Sequence, residues 1–268
     1  MTMNTLTIHN IFGHGYTQKD LVRLQKLGFI IRPQGSSFAG SQELQFIDFR
    51  SGPCLELIEV TDPEDYLSFV PPGMLPYQPG LNLALEEGSE QQLAGLEEQF
   101  TGWGPYLLHE NYEGGQDEHK PGWNYLNFRD PILPGTFVFL TEFEKPYPAS
   151  HPRTIHANTA ARVSGLVFDL DPDQMERLSR LTGQPLEQGI LRLDGIPLYS
   201  REAAPLPARS TGPLAPEKDF SLTAVLLEAE SLAPFRGADP TLEEAEFAGR
   251  PALRIPTPAR SWDLVVHI

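Results

Sequence analysis

Three times along this chain a helix-capping residue is followed, four and seven positions later, by large apolar residues: Thr17 by Leu21 and Leu24, Ser89 by Leu93 and Leu96, Asp171 by Met175 and Leu178. That offset puts both apolar residues on one face of a short amphipathic helix. The surrounding residues agree. Gly28 and Gly183 stand as stops, Ser89 and Gln92 form a capping box, and Pro172 takes a first helical position. One register used three times is a repeat, which limits the fold to architectures built from copies of a single supersecondary unit.

Strand-like runs flank each helix. Residues 6–12, 81–85 and 163–170 precede the three helices. Residues 29–32, 44–49 and 54–60 follow the first, 106–108, 123–128 and 137–143 the second, and 190–193, 198–201, 222–227, 252–255 and 264–268 the third. The unit is therefore β-α-β-β-β. The polar stretch 111–122, the proline-rich stretch 145–152 and the Pro/Ala-rich stretch 203–218 are expected to be loop or connector.

A net charge of -16 with no cluster of Lys and Arg argues against nucleic acid and anionic membranes as partners. The first residues lack a cationic segment followed by an apolar run, and nothing later is long enough to span a bilayer, so a cytoplasmic location is expected. With Cys54 as the one cysteine, an internal disulfide and a thiolate zinc cluster are excluded, and any metal must rest on His and carboxylates. No Gly-x-Ser-x-Gly elbow, Walker loop or dinucleotide fingerprint is present.

The run Cys54-Leu55-Glu56-Leu57-Ile58-Glu59-Val60 sets a carboxylate between two leucines. Strand alternation places Leu55 and Leu57 on one face and Cys54, Glu56 and Ile58 on the other. An unpaired buried carboxylate costs several kcal/mol, so Glu56 is expected to face a partner, a metal or a wet cavity. Cys54 beside apolar neighbours reads as inert core. Trp123 and Tyr125 share one strand face and are candidates for a pocket lining. His14, between Gly13 and Gly15, reads as an exposed loop residue, and His109-Glu110 with His119 as part of a solvated acidic loop. Asp169 to Asp173 imitates the start of a calcium loop, but Gln174 and Arg180 stand where Gly and Glu are needed, so a helix cap is expected.

The unit opening on Leu6-Thr7-Ile8-His9-Asn10, running through Leu24-Gln25-Lys26-Leu27-Gly28-Phe29 and ending in Leu55-Glu56-Leu57-Ile58 resembles the vicinal oxygen chelate superfamily, which includes glyoxalase I, extradiol dioxygenases and bleomycin-resistance proteins. Leu133-Pro134-Gly135-Thr136-Phe137-Val138-Phe139-Leu140, His151-Pro152 and the unit from Val163 to Gly183 are similar to its glyoxalase-like members. The resemblance implies an α+β fold in which paired βαβββ modules curve as mixed sheets around a cavity. Residues 1–148 would form that pair, and 149–268 a third, elaborated module packed on it or on a second copy of the chain in a homodimer.

The resemblance also implies one divalent metal (Zn, Ni, Mn or Fe) held on first and fourth strands. His9 and Glu56 match the ligands of the first module. The second module departs from the pattern, reading Gly80-Leu81-Asn82-Leu83 and Phe137-Val138-Phe139-Leu140, with Glu142 or Glu144 as a replacement ligand if the register slips. His156 and Asn158 match a stretch at the cavity mouth, and Arg32 and Arg162 are sources of local positive charge. Three functions follow as expectations: a metal-assisted lyase or dioxygenase acting on a small oxygenated molecule, a metal-free protein that binds or sequesters such a molecule, or an interaction module whose cavity is filled by its own side chains.

Overall fold

The computed structural model describes residues 6–37, 40–70, 76–85, 93–110, 123–143, 154–204, 220–257 and 262–268. The first unit comprises β1 (Leu6–His14), α1 (Gln18–Lys26), β2 (Arg32–Ser37), β3 (Gln42–Ile47) and β4 (Cys54–Val60), and a short helix α2 (Pro63–Phe69) leads out of it. The second comprises β5 (Gly80–Leu85), α3 (Leu93–Gln99), β6 (Pro105–Glu110), β7 (Trp123–Phe128) and β8 (Phe137–Phe143). A third follows with β9 (Ala160–Phe168), α4 (Pro172–Thr182), β10 (Leu186–Glu187), β11 (Ile190–Leu193) and β12 (Ile196–Ser200). The remainder is β13 (Leu222–Ala229), α5 (Ala233–Ala238), β14 (Glu243–Phe247), β15 (Arg250–Ile255) and β16 (Asp263–His267).

This corrects the module count. The region expected to hold one elaborated third module holds two complete βαβββ units, because α5 and β14 stand where the sequence shows no helix or strand signal. The α+β class and the repeated module are as expected. Each half of the chain forms one eight-stranded mixed sheet, in the orders β2-β3-β4-β1-β5-β8-β7-β6 and β10-β11-β12-β9-β13-β16-β15-β14. Within every unit the first and fourth strands pair in parallel, and the two units of a sheet meet through antiparallel first strands, β1 with β5 and β9 with β13.

The helices form where their caps predict. Thr17 accepts from the Asp20 amide in a capping box, and Asp171 does the same with Gln174 ahead of Pro172, which settles the calcium-loop imitation as a cap. The expected cap of α3 at Ser89 and Gln92 lies outside the described residues, as do residues 111–122, 145–152 and 205–218. One apolar core joins both sheets: Ile11, Leu55, Leu57, Leu81 and Leu140 of the first sheet with Leu166, Leu198, Val225 and Val266 of the second, and Leu24, Leu96, Met175, Leu178 and Phe235 from the helices fill it. At roughly 1.5–3 kcal/mol per buried aliphatic side chain, this shared core is the main reason that the halves hold together.

Polar contacts register the halves. The Arg50 amide donates to the Ala161 carbonyl at 3.0 Å, the Thr136 and Ser221 hydroxyls lie 2.7 Å apart, and Trp262 Nε1 donates to the Phe12 carbonyl at 3.2 Å. Gly28 permits a close backbone approach. It has φ of 89°, and a Cβ there would stand 2.9 Å from the Asn158 amide nitrogen.

Candidate functional site

The first sheet turns Leu55 and Leu57 into the core and Cys54, Glu56 and Ile58 to its opposite face, as the alternation requires. On that face Glu56 is the register partner of Phe12 on β1 and of Phe46 on β3. The Phe12 ring leans the other way, over Gly80, where an added Cβ would lie 2.1 Å from its Cζ. Asn10 takes the vacated side, and its Nδ2 donates to Glu56 Oε2 in a short hydrogen bond. Asn82, the neighbour of Asn10 on β5, accepts at 2.5 Å from the Thr141 hydroxyl of β8 through Oδ1.

Glu56 is sunk among protein atoms yet keeps partial contact with solvent. Burial pushes its carboxyl up from 4.5 to about 7, and no charged neighbour offsets that. Holding it ionised costs on the order of 3 kcal/mol. At neutral pH it is therefore poised between acid and carboxylate, a state suited to proton exchange with a bound molecule. Burial raises the neighbouring Cys54 thiol well above its ordinary value, which leaves it a poor nucleophile.

His14 is a correction: it ends β1, is buried, and is no exposed loop residue. Its Nδ1 lies 3.0 Å from the Gln78 carbonyl, which can only accept, so Nδ1 carries the proton and Nε2 accepts from the Tyr66 hydroxyl at 3.4 Å. The Tyr77 amide in turn donates to the Tyr66 oxygen at 3.2 Å. Burial lowers the His14 pKa to about 4, so the ring stays neutral.

The sequence-derived site residues fall in three places. His9 sits at a β-bulge between the Ile8–Leu83 and Asn10–Asn82 pairs, with its ring 5.0 Å from that of Phe143. Tyr125 is the register partner of Thr141 and stacks edge-on against Phe139 at 5.3 Å, so it shares the Glu56 face of the sheet. Trp123 opens β7 opposite Phe143.

Glu142 has the parity of core-facing Leu140 and accepts from the Leu93 amide at the start of α3, at 3.4 Å, so the structure does not bring it to Glu56. His156 and Asn158 lie on the core side, between the halves. His156 Nδ1 accepts from the Ile30 amide at 3.0 Å between the rings of Phe29 and Phe49, and Asn158 Nδ2 donates to the Leu27 carbonyl at 2.9 Å. His109 and Glu110 belong to β6 rather than to a loop, and His119 lies outside the described residues. Arg32 and Arg162 are bound to Asp48 and Glu228.

These residues do not fit the four-ligand metal site that the resemblance implies. Asn10 and Asn82 are neutral amides committed to Glu56 and Thr141, Glu142 faces away, and among the described residues no group of three or more His, Cys, Asp or Glu converges. The polar members that sequence reasoning missed are Asn10, Asn82 and Thr141. Asn10 directly follows His9, and only the bulge reveals which of the two meets Glu56.

No family model and no curated protein matches the chain. Solved structures do. It is similar to a catechol 2,3-dioxygenase at 11% identity over 97% of this chain and 86% of that one, with a TM-score of 0.52. It is similar to 2,2',3-trihydroxybiphenyl 1,2-dioxygenase from Sphingomonas wittichii strain RW1 at 12% identity over 98% and 90%, with a TM-score of 0.55. It is similar to a Mn(II)-bound glyoxalase from Novosphingobium aromaticivorans at 8% identity over 99% and 82%, with a TM-score of 0.54. The chain thus shares the fold of these dioxygenases and of this glyoxalase along nearly its whole length.

Proposed function

We propose that the protein binds a small oxygenated molecule on the outer face of its first sheet, and that Glu56 exchanges a proton with it. The observation that carries this reading is Glu56 itself: a carboxyl held near neutral pKa, donated to by Asn10, partly open to solvent and set in register between Phe12 and Phe46. Such a group can donate to a carbonyl or phenolate oxygen as an acid, or take a hydroxyl proton as a base. The aromatic neighbours supply apolar contact for the ligand's carbon frame. The fold's likeness to enzymes of the dioxygenase and glyoxalase type supports this placement as an analogy of fold.

Calorimetric titration of the full chain with catechol, phenol and cyclohexanol tests the reading. The expected order of affinity is catechol, phenol, cyclohexanol, with at least tenfold loss in Glu56→Gln; equal binding by Glu56→Gln and wild type would overturn it. Metal analysis of protein prepared without chelators is the companion measurement. One Zn, Ni, Mn or Fe ion per chain, lost in both His9→Ala and Glu56→Gln, would replace proton exchange by a metal-assisted lyase or dioxygenase reaction.

A further inference from the structure

In a chain of net charge -16, arginines find carboxylates: Arg32 bonds Asp48, Arg162 bonds Glu228, Arg236 bonds Glu244 and Arg254 bonds Asp263. Arg177 and Arg180 break this pattern. They stand three residues apart on one face of α4, and among the described residues neither has an ion-pair or hydrogen-bond partner. Both guanidinium groups lie over the same indole, that of Trp103, at 5.8 and 5.9 Å from its ring centroid. Trp103 belongs to the first half of the chain and α4 to the second, so the cluster sits on the seam between them.

A cation over an indole is a favourable contact, which accounts for one arginine here. It does not account for two like charges on one ring. Phe100 stacks on the indole at 5.0 Å and an interplanar angle of 4°, which leaves the guanidinium groups the rest of its surface. Arg177 Nε is moreover buried with no hydrogen-bond acceptor, an unfavourable state for a charged group. A third arginine adjoins them. Arg129 runs its stem against Gly104, next to Trp103, and likewise lacks a carboxylate partner among the described residues. Asp130 and Glu176 are sequence neighbours of these arginines, yet neither closes an ion pair with them.

We propose that Arg177 and Arg180, braced by Trp103 and with Arg129 at the edge, form a binding site for the phosphate group of a small molecule. Guanidinium forks match phosphate oxygens in geometry. Up to three positive charges suit a dianion better than a monocarboxylate. This site is separate from the Glu56 face and stands or falls independently of it.

The test is thermal unfolding and calorimetry of the full chain with inorganic phosphate, phenyl phosphate and acetate, each against sodium chloride of matched ionic strength. Saturable stabilisation by phosphate but not acetate is expected, with affinity reduced about tenfold or more in Arg180→Gln and in Arg177→Gln. Arg180 is exposed, so its variant is expected to fold as wild type does. Arg180→Lys, which keeps the charge without the fork, should bind more weakly than wild type. Tighter binding of phenyl phosphate would identify a phosphate ester as the ligand, and equal binding the free ion. Arg236→Gln, on α5 and ion-paired with Glu244, should leave binding unchanged. Stabilisation no greater than that from sodium chloride, or undiminished in Arg180→Gln, would overturn the proposal.

Discussion

The two sheets can be laid over each other at their bulges. In the first, His9 is the unpaired residue between Ile8 and Asn10; in the second it is Ser164, between Val163 and Gly165. From that point the registers run in step, so Asn10 corresponds to Gly165, Glu56 to Tyr199, Asn82 to Leu226, Phe139 to Val265 and Thr141 to His267. The core faces agree in character, with Ile11, Leu55 and Leu81 matching Leu166, Leu198 and Val225. The outer faces do not. Where the first sheet has Asn10, Glu56, Asn82 and Thr141, the second buries Val167, Ala224, Leu226, Ala252 and Val265 as an apolar cluster bordered by Tyr199 and Phe247. Its polar remnant is the 2.7 Å contact between Ser164 and His267, with Phe247 stacked on the imidazole at 4.5 Å. The core face carries the stability that both copies need. The outer face is released from that duty, and among the described residues only the first sheet uses its freedom to bury a carboxyl without a charged partner.

The largest effect should fall where the copies are alike. Leu55→Ala and Leu198→Ala occupy corresponding, fully buried positions, and each is expected to cost about 2–5 kcal/mol in urea unfolding. A marked inequality would mean that the shared core is unevenly built.

The next effect should separate the copies. Glu56 has a folded pKa of about 7 against an ordinary 4.5, so its contribution is fully present below pH 4.5, falls as pH rises to about 7, and is flat above. Wild type should lose on the order of 3 kcal/mol across that window relative to Glu56→Gln. Tyr199→Phe, the corresponding change in the second sheet, should leave the profile as it was. Identical pH profiles for wild type and Glu56→Gln would show that Glu56 is not desolvated.

A smaller change should come from Asn82→Leu, which imports the residue of the second sheet and strips the Thr141 hydroxyl of its acceptor. About 1 kcal/mol is expected, read as a lower urea midpoint. A further pH effect, of the same order as that of Glu56 and opposite in sign, concerns His14, whose pKa lies at about 4. The unfolded chain takes up its proton near pH 6.5 while the folded ring does not, so stability falls as pH drops from about 6.5 to 4. Nitrogen chemical shifts of His14 that stay those of a neutral ring from pH 8 to 5 are the expected sign; titration near 6.5 would contradict its burial.

Much of the fold was legible. The cap-to-stripe spacing located α1, α3 and α4, and runs of apolar residues located β4, β7, β8 and β11 at their observed bounds. The fourth module was hidden because its markers are weak. The α5 segment Ala-Pro-Phe-Arg-Gly-Ala is only six residues and contains both Pro and Gly, and β14 spends three of its five positions on Glu. Such segments hold their shape through packing, as buried Phe235 does in α5.

The candidate site divides along the same line. Strand alternation alone put Glu56 opposite Leu55 and Leu57, since side chains alternate with a period of two whatever surrounds them. The same pattern marked it as a carboxyl in need of a partner. Which group answers was decided by tertiary structure: a bulge at His9 shifts the register so that Asn10 reaches Glu56, while strand parity turns Glu142 to the other side and the seam between the halves takes His156 and Asn158. A one-residue slip reverses every side chain beyond it, and that slip is set by neighbouring strands rather than by the residues themselves.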